Sequence, residues 1–236
     1  MLGEIFSKPG TLLLPSTPQA LQSGLAWGEV LTNRILICVA VGIMILSILD
    51  IIRFFPHLLF CLRRSYGSEN IEHSIAVTRL RNRCAFVAAL PFCLMADYFG
   101  VYRDTLLCSP GQQWSALIVI ALLFVYLLLR KLISLVIRPR NIGGEKYNAV
   151  RHCLWNYFIL LVLNLLFILA PIRLMGVRWD VSRWIFLSVT GLFYLVALFR
   201  EAQILSSVCN GLRTILYLCA LELVPAVVLV VPAVLV

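Results

Sequence analysis

Charged side chains are scarce in this chain. They make up 13% of its 236 residues, and hydrophobic ones make up 61%, whereas a soluble domain carries about a quarter charged and under half apolar residues. That imbalance excludes a single soluble core and calls for a hydrocarbon solvent. Acids are scarcer than bases, 11 against 20, and histidine occurs only at His57, His73 and His152. There is no GxGxxG, Walker, GxSxG or HExxH pattern, so a hydrolase or nucleotide-dependent enzyme has no visible catalytic set. The eight cysteines form no CxxC pair. Cys38, Cys84, Cys93 and Cys219 fall in or beside apolar runs, Cys61, Cys153 and Cys209 in basic loops, and Cys108 on the opposite side. Cysteine in a span acts as a small apolar residue, so no disulfide network is expected. The formal charge of +9 does not point to nucleic acid, because no basic stripe is interleaved with exposed aromatics. No cofactor or metal site is expected. His57 and Cys61, at i,i+4 spacing, are the one pair that could share a metal, and a lone pair is too few ligands.

What is present is a series of apolar runs. A helix needs about 20 mainly apolar residues to cross the hydrocarbon. On that measure the fold class is all-α, a polytopic transmembrane helical bundle of about six spans: 35–52, 84–98, 114–137, 154–175, 184–199 and 214–236. Residues 1–34 form a separate N-terminal segment with Pro9, Pro15 and Pro18, in which Ala20–Val30 suits the membrane interface and Trp27 an anchor. No cleavable signal peptide is visible, and the first span serves as the insertion signal. Phe54–Leu62 is apolar but too short to cross, contains Pro56, and is expected on the membrane surface. Ser68 opens an amphipathic helix ending in Arg79, Arg81 and Arg83. Gly143-Gly144 marks a turn. The run 84–98, short and holding Pro91 and Asp97, is the weakest of the six.

The basic residues orient the bundle. Fourteen Lys and Arg fall in 53–83, 130–151 and 200–213, and six fall elsewhere. Cytoplasmic loops carry the excess, which puts those three loops inside and both termini outside. Arg130 and Lys131, at the end of the third span, are expected to snorkel. Arg63, Arg64, Arg79, Arg81 and Arg83 are expected to contact anionic lipid headgroups. Asp50 and Asp97, near span ends, are expected to reach the headgroups as well.

Glu222 stands out. It lies about nine residues into the last span, where a carboxylate costs a few kcal/mol and must face the interior, paired or protonated. Pro225 removes a backbone N–H and frees the carbonyl of Leu221, so Glu222, Pro225 and neighbouring Cys219 form a candidate intramembrane polar site. The bland alternative is a helix-packing hydrogen bond. Candidate partners on the fourth span are Tyr157 and Asn164, seven residues apart on one face, with Asn156 near it and His152 at the inner end. On the fifth span Ser188, Thr190, Gly191 and Tyr194 form a small polar stripe suited to helix contact.

The second half of the chain also resembles a known family. The run Val189–Tyr194, then Phe199-Arg200, then Ile215–Pro225 with its Tyr-Leu-Cys-x-Leu-Glu-x-x-Pro pattern, is similar to small bacterial inner-membrane proteins of the Bacteroidota type, grouped as domain of unknown function 4271. The likeness runs from about Tyr147 to Val230. It implies an inner-membrane home and puts Cys219, Glu222 and Pro225 at characteristic positions, but it supplies no activity. The apolar end Val231–Val236 departs from it. Taken together, the expected function is a non-enzymatic subunit or assembly partner of a membrane complex, held among lipid and other membrane proteins. The alternative is a small proton-coupled transporter or channel with Glu222 as its protonatable site. An enzyme using Glu222 or His152 as a base ranks last.

Overall fold

A computed structural model describes residues 27–63, 71, 74–102, 114–136, 144–207 and 211–234. Every element among them is helical: a 3-10 turn at Trp27–Glu29, α1 (Leu31–Leu46), α2 (Ile48–Arg63), α3 (Ile75–Tyr98), α4 (Ser115–Val136), α5 (Gly144–Leu174), α6 (Trp179–Ser206), α7 (Gly211–Leu218), a π-helical turn (Cys219–Leu223) and α8 (Val224–Val234). Three stretches are long and apolar enough to cross a membrane, namely Ser115–Leu135, Asn148–Leu174 and Trp179–Ser206. The pair α1 and α2, bent by 67°, makes a fourth if it is one broken span. The expected first span, 35–52, is therefore split. The bend falls at Ser47, and the helix then runs through Pro56 without stopping. Phe54, Leu58 and Cys61, at i, i+4 and i+7, form the buried stripe of α2, while Arg53 and His57 are exposed. Phe54–Leu62 is thus the second half of an amphipathic helix that starts at Ile48 and is bent away from α1.

The weakest of the expected spans belongs to a well-buried helix. α3 extends well before 84, opened by Ser74, whose hydroxyl accepts the Val77 N–H. Small residues at Ala85, Ala88 and Ala96, with Cys84 and Cys93, let its neighbours approach, and Pro91 is buried inside it. Helices α1, α2, α4 and α5 all pack on it. Its three arginines spoil its average hydropathy, which is why α3 is not among the long apolar stretches.

Helices α5 and α6 form the tightest pair. The turn between them uses Gly176 at φ +68°; its N–H bonds the Arg173 carbonyl, and the Val177 N–H reaches back to Ile172. This is the glycine-terminated helix end that only an unbranched backbone adopts freely. α3 ends the same way at Gly100, φ +63°, with the Val101 N–H on Ala96.

One end of the bundle is aromatic. The Trp27 indole N–H donates to Asp97 at 2.6 Å, and the Trp27 ring sits edge-on to Tyr98 at 4.9 Å. Tyr98 also meets Trp179, and Arg173 lies over both rings. Rings of this kind suit a membrane interface. Asp97 thus holds the entry to α1 against the end of α3 instead of reaching out to headgroups. Trp27→Phe keeps the ring contact and removes the hydrogen bond to a carboxylate, so it should cost about 2 kcal/mol, read as a lower melting temperature in mild detergent.

Candidate functional site

The other end of the bundle holds buried charge. On α4 the buried positions Ala116, Val119, Tyr126, Arg130 and Ser134 repeat at three, four and seven residues, so the inward stripe carries Arg130 to the interior. Arg130 is only 6% exposed. It does not snorkel, because its counter-charges are inside. Its Nε donates to Glu222 Oε1 at 2.9 Å, and its Nη2 donates to the same oxygen. Nη2 also lies 3.6 Å from Glu201 Oε1. Both glutamates are 0% exposed.

Each acid arrives by a different local route. On α6 the stripe Phe186, Ala197, Glu201, Ile204 and Leu205 turns Glu201 inward, while Arg200, one position earlier, turns out. Arg200 donates to the Leu62 carbonyl at 2.8 Å and to Gln203 at 2.9 Å. Glu222 sits in the π turn. Pro225 has no N–H to offer the carbonyl four residues back, and the ladder shifts by one residue, with the Val224 N–H bonding Cys219 five residues back. A π turn adds a residue without ending the helix, and such turns recur at functional sites. Here it rotates Glu222 towards α4 and α6, and the Tyr194 hydroxyl donates to the Glu222 carbonyl at 3.1 Å.

The result is a triad from three separate elements with two acids and one base. Oε2 of Glu222 has no hydrogen-bond partner, and Arg130 Nη2 stands 3.6 Å from Glu201, beyond a hydrogen bond. The two carboxyls share the Arg130 Nη2, which contacts Oε1 of each. If both were ionised, the group would hold one negative charge without a partner in a dry interior, which is expensive. Arg130, Tyr126 and Tyr194 also line an apolar cavity of about 280 Å³ between α3, α4, α5, α6 and α8, with Phe92, Leu161 and Phe186 elsewhere in its wall.

The residues expected to face Glu222 do not meet it. The Tyr157 hydroxyl donates to the Cys61 carbonyl at 3.3 Å, tying α5 to α2. The Asn164 amide donates to Leu160 on its own helix at 2.9 Å. Cys219 and Pro225 frame the π turn and belong to the site. Asn156 is buried nearby in the chain, with no hydrogen bond to its side-chain amide. Of the arginines expected at headgroups, Arg63 and Arg79 are exposed, and Arg83 is exposed with Asp50 3.9 Å away. Arg81 is 0% exposed and donates to Asn82, so it is not a lipid contact. Arg64 lies outside the described residues, as do Cys108, Cys209, Gly143 and most of the N-terminal segment. Among the described residues no three His, Cys, Asp or Glu side chains are grouped as for a metal ion; His57 is exposed and Cys61 buried.

Sequence reasoning found Glu222 and missed both its partners. Ending the fifth span at 199 assigned Glu201 to a loop, and the end of the third span turned Arg130 into a surface cation. Extending each helix's buried stripe by one further turn would have brought both in. No family model matches the chain, and no curated protein or solved structure matches it either.

Proposed function

We propose that this chain is a proton-coupled membrane carrier, with the Glu201–Arg130–Glu222 triad as its proton-binding element and the adjoining cavity as the seat of its substrate. The observation that carries this reading is two buried carboxyls gathered on the one cation Arg130, beside a cavity that Arg130 itself lines. An ionisable residue inside a membrane bundle marks a functional site by default, and an acid without its own counter-charge takes and releases a proton as its surroundings change. A packing device needs only one acid for one base. The second carboxyl is what favours a carrier over a scaffold subunit.

In this reading α3, the bent pair α1–α2 and the run from Gly211 to Val234 complete six crossings with the three long stretches. The triad then lies about two helical turns from the basic, cytoplasmic end of α4, and the aromatic end faces out. The resemblance to domain of unknown function 4271 agrees with an inner-membrane home and rests on the quoted residues alone.

The test is proton movement in vesicles of mixed zwitterionic and anionic phospholipid loaded with a pH-sensitive dye. Wild-type protein should dissipate an imposed pH gradient several-fold faster than protein-free vesicles. Glu201→Gln and Glu222→Gln should fall to the protein-free rate while still inserting. Variants that match the wild type would sink the reading.

A further inference from the structure

A second cavity, of about 200 Å³, lies against the first and differs from it in character. Arg130, Lys131 and Ser134 from α4 line it, together with Arg151 and His152 from α5. Spacing explains the gathering. Ser134 follows Arg130 by four residues and Lys131 by three, so one turn of α4 presents all of them. On α5, Trp155 follows Arg151 by four and His152 by three, placing these three on one face. No carboxylate is among its lining residues, and among the described residues neither Lys131 nor Arg151 has an acidic partner. The Arg130 charge is already met by the acids behind it, so Lys131 and Arg151 are the two cations of this hollow without an acid among its lining residues. The Ser134 hydroxyl, which donates to the Lys131 backbone carbonyl at 2.8 Å, is held at its wall.

Leu127, Arg130 and Trp155 belong to the walls of both cavities. A basic hollow therefore adjoins an apolar one, and Arg130 stands at the junction. We infer that the two together hold one anionic phospholipid, with its phosphate between Lys131 and Arg151 and an acyl chain in the apolar cavity. Basic pockets between membrane helices recognise phosphate headgroups, and Arg with Lys supplies the fork and the point charge that a phosphodiester takes. Size and polarity both argue against a small free anion, because a free anion has no use for the apolar half of the site. The inference names the carrier's substrate class and rests on the proposed function for the word substrate; binding itself needs no proton movement.

Trp155 reports on both cavities. Phospholipids with brominated acyl chains quench nearby indoles, and Trp155→Phe identifies the part due to this site. With the full chain in mild detergent micelles, a brominated anionic phospholipid should quench the Trp155 component saturably. A brominated phosphocholine lipid, and the anionic lipid with the Lys131→Gln/Arg151→Gln protein, should each bind at least ten-fold more weakly. Melting temperature of that double variant, expected near wild type because both side chains are on the cavity wall, separates lost binding from lost folding. Equal quenching by both lipids, or no change in the double variant, would overturn the inference. So would displacement of the brominated lipid by millimolar inorganic phosphate, which would mark a free-anion site. Glu201→Gln should bind the lipid as the wild type does. A protein that binds but moves no protons therefore sinks the carrier alone, and one that moves protons without lipid preference sinks the lipid alone.

Discussion

Arg130→Met is expected to destabilise the chain by about 3–5 kcal/mol, the usual cost of removing one partner of a buried ion pair. For a chain of this size, that is a fall in melting temperature on the order of 10 °C. The cause is not the lost hydrogen bonds as such. Methionine fills much of the arginine's volume, but it leaves Glu201 and Glu222 together in the interior with no cation. Tryptophan fluorescence during heating in mild detergent would read the effect. The control is the triple variant Arg130→Met/Glu201→Leu/Glu222→Leu, in which no charge is left to bury. It should recover most of the loss, because replacing a whole buried ionic group by apolar side chains is often neutral. A single variant that melts within about 2 °C of wild type would mean that water reaches the triad and that it is not a dry site at all.

The helical bundle was legible from composition and apolar runs, and so was the inward, paired position of Glu222, a lone acid deep in an apolar run. What the sequence hid had a common physical cause, namely the ends of the spans. Hydropathy averages fall wherever charges begin, so a run is cut at its first charged residue. At Arg200 the cut is misleading. The helix continues to Ser206, and a rotation of 100° per residue sends Arg200 to the Leu62 carbonyl and Glu201 to the interior. At Arg130 the same cut treated an inward cation as a loop cation and lent weight to the charge count. α3 shows the opposite case. Its arginines depress its hydropathy, yet its small residues make it the helix on which α1, α2, α4 and α5 pack. The break at Ser47 had no sequence signal as strong as Pro56, which lies inside an unbroken helix. Tyr157 and Asn164 were placed on the right helix, but one-dimensional spacing cannot give its rotation relative to α4 and α6.

The two glutamates are expected to be interchangeable for folding and not interchangeable for proton movement with any neutral residue. Glu201→Gln leaves Arg130 paired with Glu222 through two hydrogen bonds, and the new amide can donate to the orphaned Oε2 of Glu222. Its stability should equal or exceed that of the wild type. Glu222→Gln leaves Arg130 beside Glu201, 3.6 Å away, a distance that a small shift of the guanidinium closes, so the loss should be about 1 kcal/mol. The double variant Glu201→Gln/Glu222→Gln leaves a buried cation with no acid and should lose about 3–5 kcal/mol, far more than the two singles together. Melting curves of the four proteins form a double-mutant cycle whose coupling term measures the sharing of one cation by two acids. If instead the singles simply add, the acids do not compete for Arg130, and the premise of a spare carboxyl fails. Proton flux sorts the same variants differently, being lost in either single. One acid is enough to balance Arg130, so the need for two is what separates a proton site from a packing contact.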